Sequence, residues 1–128
     1  MIQIYYLGNE FIESDSLAIE LVDELKNKYE GRIEFIAMDT FEKMITTKDE
    51  QIFFDVADGI DKVELIESID DFENVKSSTA HDMDFSFFLK LNKELENIKK
   101  VSIICIPIKR YENIIKDVTI IINMLIKK

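Results

Sequence analysis

The pattern of apolar and polar positions predicts strands and helices in alternation along the whole chain. Four short apolar runs have the length of strands, at positions 2–7, 33–38, 52–54 and 101–106. The last run stops at Pro107, the only proline of the chain. A further strand over 62–69 is predicted from a mixed pattern, and Gly59 is expected in the turn that precedes it.

Helical spacing of apolar residues separates these runs. The first helix is predicted from five apolar positions on one stripe: Leu17, Ala18, Leu21, Val22 and Leu25. Gly31 is placed to end it in a left-handed conformation. A short helix is expected around 41–45, with residues 77–79 in a loop. A further helix is predicted from Phe85, Phe88, Leu91 and Leu95, and a last one over 112–126 from Ile115, Val118, Ile122 and Leu125.

This alternation predicts one α/β domain spanning residues 1–128. We expect a three-layer sandwich, in which a mostly parallel twisted sheet of about five strands carries helices on both faces. The aromatic group Phe85, Phe87 and Phe88 is interpreted as part of the core.

Composition excludes several classes of function. The formal charge of −10 argues against nucleic-acid or anionic-membrane partners, which require clustered Lys and Arg. No apolar run reaches the roughly 20 residues of a membrane span, and no signal peptide is recognised at the N-terminus. The single cysteine, Cys105, lies in an Ile-rich run, so a buried thiol in a reducing cytoplasm is predicted.

Four residues are candidates for chemistry because each follows a predicted strand or precedes a predicted helix: Asp15, Asp39, Asp55 and His81. In an open α/β sheet such positions face one crevice at the carboxyl ends of the strands. Two carboxylates and the only imidazole of the chain could there bind a divalent transition metal. Each residue also has a structural interpretation: Asp15 and Asp39 as helix caps, Asp55 as a buried paired acid and His81 as a surface loop residue.

Other sites of known pattern are not indicated. The sequence contains neither a G-x-x-x-x-G-K-[ST] loop nor a G-x-G-x-x-G fingerprint, and no serine or cysteine lies in a nucleophile elbow. Nucleotide binding and acyl-enzyme chemistry therefore have no support in the sequence.

With these positions identified, the chain resembles the hydrogenase maturation endopeptidases over nearly its whole length. The resemblance rests on Leu7-Gly8-Asn9 after the first strand, on Asp15 six positions beyond that Asn, and on Asp55-Val56-Ala57 after an apolar strand. It continues with Ser78-Thr79-Ala80-His81 before a helix and with Pro107 after the last strand.

The resemblance implies that the protein removes the C-terminal extension from the nickel-loaded large-subunit precursor of a nickel–iron hydrogenase. It implies that Asp15, Asp55 and His81 recognise nickel carried by the substrate, and that Asp39 holds the place of an acid suspected of catalysis. The nickel is then supplied by the substrate, and no tightly bound cofactor of the protein's own is expected. A cytoplasmic monomer is expected.

The sequence departs from the family in its glycines, which identifies it as a divergent member. Tyr6 stands where the family has the first glycine of its first turn, and Ile104 where a glycine precedes the last-strand proline. Two alternatives therefore stay open. One is a non-catalytic homologue that binds the subunit or a metal during assembly. The other is a phospho-receiver-like domain, with Asp55 as phosphoacceptor and Lys109 as its lysine.

Overall fold

The structure, a computed structural model, describes residues 2–6, 16–38, 50–57, 59–75, 87, 89–91, 93–94 and 100–127. The elements follow in the order β1 (Ile2–Tyr6), α1 (Ser16–Lys28), β2 (Ile33–Ala37), β3 (Glu50–Val56), β4 (Glu64–Ile66), α2 (Ile69–Val75), β5 (Lys100–Ile106) and α3 (Ile114–Ile126). The described residues between 87 and 94 are helical and lie between α2 and β5 in the sequence.

All five strands belong to one sheet, in the order β2-β1-β3-β5-β4. The pairs β1–β2, β1–β3 and β3–β5 are parallel, whereas the short edge strand β4 runs antiparallel to β5. β3 is therefore the central strand, and it is buried from Gln51 to Val56. The predicted architecture, a mostly parallel five-stranded sheet within an α/β sandwich, is confirmed.

Helices α1 and α3 cover the first face of the sheet. Their buried residues form one cluster with inward-pointing strand residues such as Ile4, Ile52, Phe54 and Ile104. The predicted stripe of α1, Leu17 to Leu25, is buried throughout, because its spacing places all five apolar residues toward the sheet. The helix ends at Lys28, and Gly31 adopts a φ of 81°, as expected for a left-handed residue after a helix.

The second face carries a separate core formed by the alternate strand residues. Tyr5, Phe53, Val101, Ile103 and Cys105 pack there with Ile69 and Phe72 of α2 and with Leu89 of the helical segment 87–94. Side chains alternate between the faces of a strand, so neighbouring residues of β3 and β5 contribute to different cores. Cys105 is buried and forms no disulfide with any described residue, and its predicted burial is confirmed.

The predicted strand over 62–69 is wrong in its extent. Only Glu64–Ile66 pair with β5, and Ile69 already begins α2. The physical reason is a helix cap: the Asp71 N–H donates to Ser68 Oγ at 3.4 Å, and two acidic residues occupy the first turn of α2. A serine followed three positions later by an acid thus ends the extended segment.

The predicted burial of the helix between α2 and β5 is also wrong at two positions. Phe87 is 69% exposed and Leu91 is 43% exposed, whereas Leu89 is fully buried. The face toward the sheet therefore includes Leu89 and not Leu91. The other predicted positions of this helix, Phe85, Phe88 and Leu95, lie outside the described residues, as do the helix expected at 41–45 and the loop at 77–79.

A buried tyrosine, Tyr29, and a half-buried one, Tyr111, connect helices to their surroundings on the first face. The Tyr29 hydroxyl donates to Asn123 Oδ1 at 2.9 Å and thereby joins the end of α1 to α3. The Tyr111 hydroxyl donates to Asp117 Oδ2 at 2.8 Å and accepts from the Val63 N–H at 3.0 Å. Tyr111 thus holds the segment between β5 and α3 against the residue that precedes β4.

Arg110 ties the same segment to α1. Its guanidinium donates to Glu24 at 2.6 and 3.0 Å and to Glu20 at 2.9 Å. This contact lowers the pKa of the Glu24 carboxyl. The groups are exposed, so solvent screening keeps the contribution of each pair to the stability of the fold small.

Among the described residues, no helix has both the length and the apolar character that crossing a membrane requires.

The first core predicts a large loss of stability on truncation at Leu21, which is fully buried between α1 and the sheet. Leu21→Ala should lower the free energy of unfolding by about 2–5 kcal/mol, because it removes apolar contacts and leaves a cavity. Ile120→Ala is the control: Ile120 is 55% exposed on α3, and its truncation should change stability by no more than about 0.5 kcal/mol. Urea unfolding measures both, and equal losses would contradict this assignment of the core.

The titration of two tyrosines is expected to destabilise the fold at alkaline pH. Burial raises the pKa of both Tyr29 and Tyr111. The unfolded chain therefore releases these protons first, and the free energy of unfolding should fall as the pH rises above about 10. The double variant Tyr29→Phe, Tyr111→Phe should show a shallower fall between about pH 10 and 11.5 than the wild type, in urea unfolding at fixed ionic strength. An unchanged slope would contradict the prediction.

Candidate functional site

The carboxyl ends of β1 and β3 form the switch point of the sheet. β1 is flanked by β2 on one side and by β3 on the other. The helix that follows β1 covers the first face, whereas α2, the first helix after β3, covers the second face. Connections that leave neighbouring strands toward opposite faces open a crevice at their carboxyl ends, where ligands of α/β proteins bind.

Asp55 lies at this place. It is the penultimate residue of β3, between Phe54 and Val56, whose side chains belong to the first core. Its own side chain therefore points to the second face, as does that of Cys105, its register partner on β5. Asp55 is 3% exposed, and its Oδ1 accepts the Val56 N–H at 2.9 Å. This bond fixes the orientation of the carboxylate relative to its own strand.

Asp55 lies on the side of the sheet that carries the second, apolar core. The second core contains Phe53 two residues earlier on β3 and Tyr5 on β1, whose rings lie 5.9 Å apart between centroids. Transfer of a carboxylate into such surroundings costs folding free energy unless it is paired or hydrogen-bonded. A buried acid at the ligand-binding edge of an α/β sheet is therefore a candidate functional residue.

The structure places one of the four predicted site residues. Asp15, Asp39 and His81 lie outside the described residues, so their convergence on Asp55 stays a prediction. The described chain comes close to two of them in sequence: α1 begins at Ser16, and Met38, which is buried, donates its N–H to the Tyr6 carbonyl at 3.0 Å. Within the described ranges alone, no group of three or more His, Cys, Asp and Glu residues could hold a metal.

A pocket that the sequence did not indicate lies beyond Asp55 at the same edge. It has a volume of about 370 Å³ between the loops that follow β3 and β5, and we call it the edge pocket. It is lined by Gly59, Ile60, Asp61, Pro107, Ile108 and Lys109. The Ala57 N–H donates to the Ile106 carbonyl at 2.8 Å and continues the pairing of the two strands up to the pocket. Gly59, at a φ of 89°, makes the turn in the first of its loops.

The strand order of the sheet argues against the phospho-receiver alternative, in which Lys109 would be the receiver's lysine. Receivers share the doubly wound strand order 2-1-3-4-5. In the present sheet β4 is an antiparallel edge strand, and β5 lies between it and β3.

Comparison of the sequence with protein-family models and with curated proteins gives no match. Comparison of the fold with solved structures gives clear likenesses. The hydrogenase maturating endopeptidase HybD from E. coli superposes with a TM-score of 0.64, over 84% of this chain and 74% of that chain, at 12% sequence identity.

Two other solved structures share the architecture. An endopeptidase from Escherichia coli, solved in solution, gives a TM-score of 0.60 over 83% of this chain and 74% of its own, at 14% identity. An uncharacterized protein from Wolinella succinogenes gives 0.50 over 83% and 72%, at 15% identity. The fold that the sequence resemblance implied is therefore confirmed: this chain is built on the architecture of the hydrogenase maturating endopeptidase.

Proposed function

We propose that this protein is a cytoplasmic endopeptidase that removes the C-terminal extension of the nickel-loaded large-subunit precursor of a nickel–iron hydrogenase. The observation that carries the proposal is Asp55, a buried carboxylate at the switch point of a sheet whose fold is shared with two solved endopeptidases. The shared fold supports the proposed class of protein, and the position of the acid supports the proposed place of the chemistry.

Recognition of the substrate is proposed to depend on the nickel that the precursor carries. Asp55 would supply one ligand, with Asp15 and His81 as the other two. Carboxylates and a neutral imidazole are suitable ligands for a divalent transition metal, and three protein ligands leave room for those of the substrate. A precursor without nickel would then have no anchor, so the order of metal insertion and cleavage would be enforced.

The course of the chain on the second face supports His81 as a partner of Asp55. Residues 68–70, at the start of α2, line one depression together with Lys90, Lys93 and Glu94 of the helical segment 87–94. The start of α2 thus lies beside the described residues at 90, 93 and 94. Both pack on the face to which the Asp55 side chain points, and His81 belongs to the connection between them in the sequence.

Catalysis is peptide hydrolysis, and two groups are proposed to activate the attacking water. One is Asp39 acting as a general base, which would accept the water proton and later protonate the leaving amine. The other is the nickel of the substrate acting as a Lewis acid. Asp39 follows Met38, which is held beside the end of β1. Both routes require the scissile bond to lie near the carboxyl ends of β1, β2 and β3.

A second candidate is a monomeric assembly factor that holds the precursor without cutting it. It is favoured by the altered glycine positions, Tyr6 and Ile104 among them, both of which lie within strands of the present fold. The two functions differ in their products. Incubation of the purified protein with nickel-loaded precursor should give a shortened subunit if the protein is a peptidase, and a lasting complex of full-length precursor if it is a binder.

The site predicts that Asp55→Asn and His81→Ala each abolish processing while the fold is retained. Loss of residues that support a metal ligand costs about 10–100-fold, so loss of a ligand itself should reduce the rate of processing by at least about 100-fold. The measurement is precursor shortening in a coupled maturation assay, with circular dichroism and urea unfolding as checks of the fold.

Asp23→Asn is the matched control, because it makes the same chemical change on the exposed side of α1, where the carboxylate is 69% exposed. It should process the precursor at the wild-type rate. Normal processing by either site variant would refute the site. Processing that fails equally in the control would show instead that the assay responds to overall charge.

A further inference from the structure

The edge pocket has an apolar wall and two side chains of opposite charge. Pro107 is buried and Ile60 packs against the second core, so both give the pocket an apolar wall. Lys109 and Asp61 are exposed and supply its charged groups. Apolar walls with a few polar groups are typical of sites that bind a small portion of a ligand.

The cation of the pocket is available, whereas its neighbour in the sequence is not. Arg110 is held by Glu20 and Glu24 of α1 through pairs of 2.6–3.0 Å. Lys109, one residue earlier, has no ion pair with any described residue, and Asp61 likewise has none within the described part of the chain. The loop after β5 thus uses one basic residue to anchor itself and presents the other to the pocket.

The pocket lies at a short distance from the proposed cleavage site. Its residues follow Asp55 on β3 by four to six positions and Cys105 on β5 by two to four, and these two residues are partners in the register. At a strand rise of about 3.3 Å per residue, Pro107, the first lining residue after β5, lies roughly 7 Å beyond the Asp55–Cys105 pair. Ile60 contacts the core on the face to which the Asp55 side chain points. An extended peptide chain anchored near Asp55 would reach the pocket with its second or third residue.

We propose that the edge pocket binds a carboxylate of the C-terminal extension of the substrate, with the Lys109 ammonium as its partner. This inference rests on the proposed function and names how the extension is recognised. The carboxylate belongs either to the C-terminus of the extension or to an acidic side chain within it. Pro107 and Ile60 exclude water from one side of the ion pair, and Asp61 disfavours acids placed on the opposite wall.

The proposal predicts effects of opposite sign for the two charges. Removal of the cation by Lys109→Gln should weaken binding about threefold, as expected for one partly exposed ion pair. Removal of the acid by Asp61→Asn should strengthen binding, because a carboxylate ligand is then no longer repelled. Lys116→Gln changes the net charge in the same way as Lys109→Gln but lies on the exposed side of α3, so it should leave binding unchanged.

The test is a titration of the full chain, labelled with ¹⁵N, with a synthetic peptide that has the sequence of the precursor's C-terminal extension. Three forms are used: the free acid, the C-terminal amide, and a form whose acidic side chains are replaced by amides. Amide signals of Gly59, Ile60 and Ile108 should shift on binding. The form that loses affinity identifies the carboxylate, and in Lys109→Gln that loss should disappear.

Three outcomes would overturn the proposal. They are equal affinity of all three peptide forms, equal dissociation constants for Lys109→Gln and Lys116→Gln, and shifts that avoid both loops of the pocket. The same preparations are assayed for cleavage of the nickel-loaded precursor. Normal cleavage combined with any of these three outcomes contradicts the pocket and leaves the peptidase intact. Peptide binding at Lys109 without cleavage supports the pocket and sinks the peptidase.

Discussion

The fold depends on the burial of both faces of β3. Parallel pairing with β1 and β5 satisfies the backbone hydrogen bonds of this strand, and helices on either side exclude water from its side chains. Ile52, Phe54 and Val56 belong to one core, and Phe53 to the other. A carboxylate at the end of such a strand is unusual, because its neighbours Phe54 and Val56 are apolar side chains buried away from water. Burial of the Asp55 carboxylate requires compensating partners, of which the Val56 N–H is one.

Much of this architecture could be predicted because the signals for it are local. The spacing of apolar residues is unambiguous in the stripe of α1 and in the runs of β1, β2, β3 and β5. Gly31, with its positive φ, marks the turn between α1 and β2. The segment 62–69 could not be assigned from its period, since β4 is only three residues long and sits at an edge. The cap at Ser68 was the available signal there, and it was outweighed by the apolar residues around it. The exposure of Phe87 had no local signal, because the phase of a short helix is set by what it packs against.

The candidate site likewise has one part that the sequence predicts and another that it does not. The position of Asp55 followed from the sequence, because an acid after an apolar run indicates the end of a strand, and the ends of parallel strands meet. The edge pocket did not, since its two loops are separated by almost fifty residues and are brought together only by the pairing of β3 with β5. Asp15, Asp39 and His81 remain predictions of the sequence alone. Their test is chemical, because a shared fold at 12% identity places elements and does not assign side-chain roles.

The charge of the chain constrains how an acidic or neutral partner can be recognised. At −10 the protein repels a carboxylate-bearing peptide at long range, but this repulsion is screened beyond about 8 Å at physiological ionic strength. Within that distance the nearest charges decide. Along the loop after β5, the charge of Arg110 is outweighed by its two glutamates, so Lys109 is the residue of this loop that can attract a carboxylate, and Asp61 opposes it. Selection of a carboxylate in the edge pocket should therefore depend on short-range pairing with Lys109 beside an apolar wall. The long-range approach of the substrate should depend instead on the rest of its folded surface.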